Sequence, residues 1–410
     1  MPYEFTAQAA RILADVSKFM QDHVYPNEAE YERQSAEVGD GDPPLLDKLK
    51  AAARERGLWN LFLPHLAPDA PGTKLSNLDY APVSEELGKV SFASEVLNCA
   101  APDTGNMEVL NLYGSEAIKR DWLAPLLEGE IRSAFSMTEP DIASSDATNI
   151  SLRMERRNDR YVLNGTKWYS SGALRDRCQV LIVMGKTNPD ASRHLQQSML
   201  VVPKDSLGLT IGRAPSVFGY DDRAHGGHPE LHFDNVEVPV DNLLGEEGGG
   251  FAIAQARLGP GRIHHCMRAI GVGERALGLM VDRAMQRTAF GSRVADKGLI
   301  QDWIAEARIE IDMARQYVLH TAHLMDELGN KAAATEIAGI KVAIPNVVLK
   351  IIDRAIQVHG AAGVSQFTPL ASMYAHVRTL RIADGPDEVH KMTIARREIR
   401  RRENESSAPN

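Results

Sequence analysis

Tyr161-Val162-Leu163-Asn164-Gly165-Thr166-Lys167-Trp168-Tyr169 is the stretch at which the period of the chain changes. Asn-Gly stands here between two short runs of strand-forming residues, and because that pair tolerates positive φ it is the strongest short-range hairpin signal, so a turn at Asn164-Gly165 is expected. Similar runs at residues 179–184, 198–202 and 231–240 predict a compact β unit around it. Outward from this unit the period is helical in both directions. Before it, Ala10, Leu13, Val16, Phe19 and Met20 recur on one helix face, with breaks at residues 39–44 and 64–73, which are rich in Gly and Pro. After Gly248-Gly249-Gly250, the residues Ile300, Ile304, Ala307, Ile311, Ala314, Val318, Thr321 and Met325 keep a four-three spacing. A stripe that long and narrow needs neighbouring helices to cover it, so the last third reads as a helical bundle. Further helical patterns cover residues 251–287, 332–359 and 387–402.

At 410 residues the chain exceeds one ordinary core, and 43% hydrophobic with 25% charged residues is the balance of a globular enzyme. The net charge is -9, and the basic residues are scattered apart from Arg396, Arg397, Arg400, Arg401 and Arg402. That run is short enough for a solvated helix end, so nucleic acid is not expected as a partner. Cys99, Cys178 and Cys266 lack the paired spacing of a zinc site or a disulfide framework; no metal is expected, and a reducing compartment fits. No segment reaches the ~20 apolar residues of a membrane span, and Met1-Pro2-Tyr3-Glu4-Phe5 does not read as a signal sequence. The expected location is cytoplasmic, or an organelle matrix if a transit sequence has been removed, with no membrane partner.

Two segments carry candidate chemistry. Residues 134–150, Ala-Phe-Ser-Met-Thr-Glu-Pro-Asp-Ile-Ala-Ser-Ser-Asp-Ala-Thr-Asn-Ile, form a polar loop stiffened by Pro140. It can offer hydroxyl and backbone donors to an electron-rich ring, or it is a turn whose Ser and Thr satisfy local backbone groups. Asp384-Gly385-Pro386-Asp387 stands immediately before a helix. Either aspartate could cap that helix, Asp387 better than Asp384. In isolation Trp168 reads as core beside the hairpin, Arg287 as a solvated helix residue, and Gly360 and Gly363 as a helix end.

The order of a helical region, the Met137-Thr138-Glu139-Pro140 loop, Trp168-Tyr169-Ser170-Ser171-Gly172, Phe233-Asp234-Asn235-Val236-Glu237-Val238-Pro239, Arg287-Thr288-Ala289-Phe290-Gly291 and residues 357–363 resembles the acyl-CoA dehydrogenases over almost the whole chain. Residues 101–108, 259–266 and 383–390 look like one branch, some of whose animal members carry an added kinase-like domain with no counterpart in these residues. The resemblance implies an α+β multidomain fold: an amino-terminal helical domain (1–131), a middle β-barrel (132–245) and a carboxyl-terminal four-helix bundle (246–410). It implies FAD as cofactor, with Phe135, Met137, Thr138 and Ser145 along the ring and its linker, Trp168 on the ring and Ser170 near its N5. Pro386 and Glu388 are also assigned to the cofactor, and Ser145 to the substrate as well. Arg287, Phe290, Gln357 and Gly360 would reach the FAD of a neighbouring subunit in a homodimer or homotetramer. Relatives commonly have Gly-Gly at or just before Ala361 and Ala362, so the adenosine end is expected to sit differently.

Oxidising a thioester at its α and β carbons needs a base on one face and a hydride acceptor on the other. Asp384 falls where many relatives have Glu, one methylene longer, and burial is expected to raise its pKa toward neutrality. A second family solution places the base directly before the residue matching Arg262, but that position is Gly261 here, which returns the choice to Asp384. Arg262 is expected to anchor the loop around the base or to contact substrate, and Gly385 to allow close approach of the thioester. His264 and His265 read as polar helix residues packed against the middle domain, with substrate recognition by His265 as the other reading. The expected reaction converts an acyl-CoA to its trans-2-enoyl-CoA and passes electrons to an electron-transfer flavoprotein. The rival readings are a nitroalkane or acyl-CoA oxidase on the same fold, or a non-catalytic scaffold.

Overall fold

A computed structural model describes residues 3–407. The architecture is α+β, with amino-terminal helices, a curled middle sheet and a carboxyl-terminal helical bundle. Its backbone forms two compact units, one made of Met1–Met20, Ser76–Ala93 and Gly259–Asn410, the other of Gln21–Leu75 and Ser94–Leu258. The amino-terminal helices are thus shared between the two. Among the described residues, no helix is long and apolar enough to cross a membrane, and no cluster of His, Cys, Asp and Glu could hold a metal ion.

The second unit is built on a seven-stranded sheet: β1 (Arg132–Ser136), β2 (Arg153–Arg157), β3 (Arg160–Lys167), β4 (Cys178–Lys186), β5 (Gln197–Pro203), β6 (Leu209–Ile211) and β7 (Leu231–Pro239). The order is β1-β4-β2-β3-β7-β6, with β5 also on β4; β1 runs parallel to β4, while β2–β3, β3–β7, β6–β7 and β4–β5 are antiparallel. With neighbours on both edges, β4 is buried almost throughout and reads as a continuous apolar run. Met154, Leu163, Leu181, Val183, Leu200 and Phe233 are among the side chains that fill the core under the sheet.

Asn164-Gly165 is not the hairpin turn that its residue types predict. Strand β3 runs through it, and the β2–β3 hairpin closes six residues earlier, where Arg157 pairs with Arg160 across Asn158-Asp159 and Asn158 adopts φ 54°. The register between β3 and β7 slips between Leu163 and Gly165, and Gly165 has φ 142°. The positive φ that Asn-Gly makes affordable serves a β-bulge here, close against Leu152.

The same unit carries a buried charge cluster. Glu95 meets Lys50 at 3.1 Å and Arg175 at 2.6 Å, with Arg132 at 3.8 Å. Burial alone would push the Glu95 carboxyl up, but these three cations reverse that and hold it well below the usual range. Arg132 opens β1 and also pairs with Asp103 at 2.7 Å, so the cluster fixes where the strand leading into the polar loop begins.

In the first unit, the helix Gly298–Leu328 buries Ile300, Ala307, Ile311, Ala314, Val318, Thr321 and Met325 of the stripe expected from its spacing, while Ile304 is half-buried. It packs on the helix Ala334–His359, which also meets Leu370–Thr379 and Asp387–Ser407. The long helix Gly250–Gln286 crosses the helix Asn77–Gly88 main chain to main chain. A Cβ on Gly88 would overlap the carbonyl of Arg268, and one on Gly271 would overlap the carbonyl of Glu85. The basic run at the carboxyl end is exposed on the last helix apart from half-buried Arg397, and Arg401 pairs with Glu398 and Glu405.

Candidate active site

Asp384 occupies a turn after the helix Leu370–Thr379 and has φ 55°, a conformation that costs an L-residue and persists only where its surroundings hold it. The hold is on its carbonyl. Arg262 Nε donates to that oxygen at 2.9 Å, and His390 Nε2 lies 3.3 Å from it. Gly385 follows with φ 101°, and a Cβ there would come within 2.9 Å of His390 Nε2. The carboxylate is partly exposed, with Oδ2 3.4 Å from His265 Nε2. A Cβ built on Gly261 would stand 3.7 Å from the same Oδ2. Position 261 and position 384 therefore address one point in space, and the absent side chain at 261 leaves it to Asp384.

The surrounding groups are cationic or neutral. Burial pushes the Arg262 and Lys341 pKa values down from their ordinary range, with the Asp384 carboxylate opposing in both cases. Burial, helped by Arg262 and Lys341, takes His390 down to about 4. His264 is lowered to about 3 by burial and then by Arg268 and His265. The two adjacent histidines have separate settings: His264 lies edge-on to Tyr80 with ring centroids 4.9 Å apart, while His265 approaches Asp384. Asp387, the better cap on residue types, is no cap. It begins the last helix fully buried, where its carboxylate accepts from Arg381 at 2.8 Å and Asn346 at 3.1 Å. Sequence reading missed His390 and Lys341, whose contacts with this turn arise only on packing.

In the second unit, the polar loop and the end of β3 are tied to each other. Trp168 donates its N–H to the Thr138 carbonyl at 3.1 Å, and the Thr138 hydroxyl donates to the Trp168 carbonyl at 2.8 Å. Lys167 Nζ donates to the Met137 carbonyl at 2.7 Å, and the Ser170 and Ser136 hydroxyls are bonded at 2.9 Å. Glu139 is spent on structure: its carboxylate accepts from buried Lys167 at 2.8 Å and from the Ser151 and Leu152 N–H groups. Phe135 is half-buried under the Arg257 guanidinium, 3.8 Å from its ring centroid. So Phe135, Met137, Thr138, Trp168 and Ser170 lie on one short stretch of linked backbone, with Ser145 exposed further along the loop.

The remaining expected residues are at the surface of the first unit. Arg287 and Phe290 lie on the small hairpin of Thr288–Ala289 and Ser292–Arg293, with Phe290 fully exposed at φ 52°. Gln357 is exposed near the end of the helix Ala334–His359, Gly360 caps it at φ 64°, and Pro386 and Glu388 flank Asp387. One other constellation has the look of a nucleophilic triad: Ser171 Oγ lies 2.8 Å from His228 Nδ1, and His228 Nε2 lies 3.0 Å from Asp222. The N–H groups of Ser171, Gly172 and Ala173 are all bonded to main-chain carbonyls, so none is left there to stabilise an oxyanion.

Helices, a curled β unit and a helical bundle in that order, with a carboxylate on a turn ahead of the last helix, define a flavoprotein oxidoreductase fold. Comparison with known proteins gives the family. The sequence matches the acyl-CoA dehydrogenase N-terminal domain over residues 6–130, the middle domain over 134–236 and the C-terminal domain over 248–399. It is 53% identical to FadE2 of Mycobacterium tuberculosis, assigned as an acyl-CoA dehydrogenase, over 98% of both chains. It is 55% identical to acyl-CoA dehydrogenase family member 11 of Gallus gallus over 95% of this chain, which spans about half the length of that relative. A solved structure from Mycobacterium abscessus, a protein assigned to the same enzymes, superposes with a TM-score of 0.93 at 46% identity, covering 97% of this chain and all of that one. The chain belongs to the acyl-CoA dehydrogenase family.

FAD is the cofactor of this family. The residues here fit it: the indole of Trp168 is a half-buried flat surface locked at both main-chain groups by Thr138, and Ser170, two residues further on, is fixed through its hydroxyl to Ser136.

Proposed function

We propose that the chain dehydrogenates an acyl-CoA thioester at its α and β carbons to give the trans-2-enoyl-CoA, with Asp384 as the base. The setting of the carboxylate carries this reading: a turn of positive φ, gripped through its carbonyl by Arg262, and facing Gly261, whose missing side chain leaves the space to it. The α-hydrogen of a thioester is a weak acid, so the base must be positioned beforehand and the charge developing on the thioester oxygen must meet a donor. In this reading the Asp384 N–H is that donor, Asp384 takes the α-proton on its carboxylate, and Gly385 admits the thioester. Arg262 sets the turn and lies close enough to contact substrate, as does His265.

Bound FAD supplies the acceptor for the two electrons and the hydrogen lost from the β carbon. Phe135, Met137, Thr138, Ser145, Trp168 and Ser170 hold it, with Pro386 and Glu388. Arg287, Phe290, Gln357 and Gly360 reach the cofactor of a neighbouring subunit in a homodimer or homotetramer, a reading supported by the full exposure of Phe290 in the single chain. An electron-transfer flavoprotein then takes the electrons.

The test is anaerobic mixing of the yellow protein with a panel of acyl-CoA thioesters. Bleaching of the flavin by at least one is expected, and Asp384→Asn is expected to keep FAD, bind thioester and stay yellow. Undiminished bleaching in that variant removes Asp384 from the mechanism, and rapid peroxide formation in air makes the protein an oxidase.

A further inference from the structure

His265 stands between two charged groups. Its Nε2 lies 3.4 Å from Asp384 Oδ2, and its Nδ1 lies 3.1 Å from Nη2 of Arg268, one helical turn along the same helix. A guanidinium has donors and no acceptor, so the ring nitrogen that faces it must present a lone pair. A neutral imidazole has one N–H, which is therefore on Nε2 and directed at the carboxylate.

We propose that His265 is a positioning residue for Asp384: a neutral imidazole, locked as the Nε2–H tautomer by Arg268, that donates to one oxygen of the base. This rests on the reading of Asp384 as the base. The surroundings keep the ring neutral. Burial pushes its pKa down against the pull of Asp384, and Arg268 and Lys341 add to the downward push. The other titratable groups around this point are Arg262 and His390 on the Asp384 carbonyl, Lys341 bonded to the Leu380 carbonyl, and His264 and Cys266 next to His265 on its own helix. Protonating Nδ1 would set an N–H against the Arg268 donors, which the geometry opposes.

Two consequences follow for the proton. Nε2 already carries one, so His265 cannot receive the α-proton: the Cα–H bond breaks, an O–H bond forms on Asp384, and the electron pair stays with the substrate. An N–H donor also favours the carboxylate over the carboxylic acid, so His265 keeps the base ionised to lower pH and holds one of its oxygens. A separation of 3.4 Å is long for a formed hydrogen bond, and contacts between catalytic groups commonly tighten once substrate is bound.

The test compares His265→Gln, which keeps a side-chain donor, with His265→Phe, which keeps the ring volume and loses the donor. In anaerobic stopped flow, His265→Phe is expected to bleach ~10–100-fold more slowly at pH 7 with the acyl-CoA dissociation constant within ~3-fold of the parent. The acid limb of its rate profile is expected to rise by about one pH unit, and His265→Gln to recover the rate to within ~5-fold. Parental rate and acid limb in His265→Phe, or a His265→Gln as slow as His265→Phe, overturns the proposal. If His265→Phe fails to fold, judged by FAD content and melting, 15N spectra of histidine-labelled protein decide. One ring with a bare Nδ1 and a protonated Nε2, unchanged between pH 6 and 8 and missing in His265→Gln, is expected; an Nδ1–H or titrating ring overturns it. Asp384→Asn run in parallel separates the two levels. Bleaching in that variant defeats the base assignment, whereas a silent Asp384→Asn beside a fully active His265→Phe defeats only the role of His265.

Discussion

Arg262 donates from Nε to the main-chain carbonyl of Asp384 at 2.9 Å, so a cation on one helix grips the backbone of the turn and not the carboxylate that the turn presents. A hydrogen bond from a charged donor contributes about 1.5–3 kcal/mol, or roughly 10–100-fold. Arg262→Met is expected to keep FAD and slow flavin bleaching by about that factor. An unchanged rate would show that the turn holds its φ of 55° without the guanidinium.

A Cβ at 261 would stand 3.7 Å from Asp384 Oδ2, so a carboxylate on either element reaches the same point. Gly261→Glu combined with Asp384→Asn is expected to bleach measurably where Asp384→Asn alone does not. Gly261→Glu alone is expected to bleach more slowly than the parent at neutral pH, because two carboxylates then share one point and one is driven to hold a proton. A double variant as silent as Asp384→Asn would argue against the shared position.

Acid lability follows from two buried histidines. The pKa values of His264 and His390 fall to about 3 and about 4 on folding, so between about pH 6.5 and those values the unfolded chain binds more protons than the folded one. Their contribution to stability is complete above about pH 6.5 and is lost as pH falls through this window, by roughly a factor of ten in the folding constant per histidine per pH unit. His264→Leu is expected to show a shallower loss of urea resistance between pH 6.5 and 5 than the parent. Parallel slopes would mean that His264 is not held neutral.

The polar loop depends on a buried ion pair. Lys167 and Glu139 are both almost inaccessible and 2.8 Å apart, and removing one partner of such a pair typically costs about 3–5 kcal/mol. Lys167→Met is expected to destabilise the protein by about that amount in urea unfolding and to lower FAD retention, since Lys167 also holds the Met137 carbonyl. A loss under about 1 kcal/mol would show that the loop is held elsewhere.

Much of the fold was legible because it is written in local periodicity. The apolar stripe from Ile300 to Met325 is the face that the helix buries, and the runs at 179–184, 198–202 and 231–240 fall within β4 and β5 and along β7. Strands β1 and β6 are too short or too polar to announce themselves. Asn164-Gly165 misled because positive φ serves a bulge as readily as a turn, and the choice is made by the pairing of β3 with β7. At the site, Asp384 and Arg262 were reached through resemblance and motif. The contacts of Asp384 with His265 and His390, the tautomer imposed by Arg268 and the burial of Asp387 depend on residues brought together by packing, and no spacing along the chain encodes them.

The crossing at Gly88 and Gly271 bears on all of this. Because the backbones touch there, the helix carrying residues 261–268 has no slack to slide or roll against its neighbour. His265 lies six residues from that stop, about 9 Å along the axis. Even a single methyl group on either glycine would work as a wedge, turning Arg262 off the Asp384 carbonyl and His265, with Arg268 behind it, off the carboxylate. The aim of the groups around Asp384 is thus calibrated by hydrogen atoms on residues that never touch it.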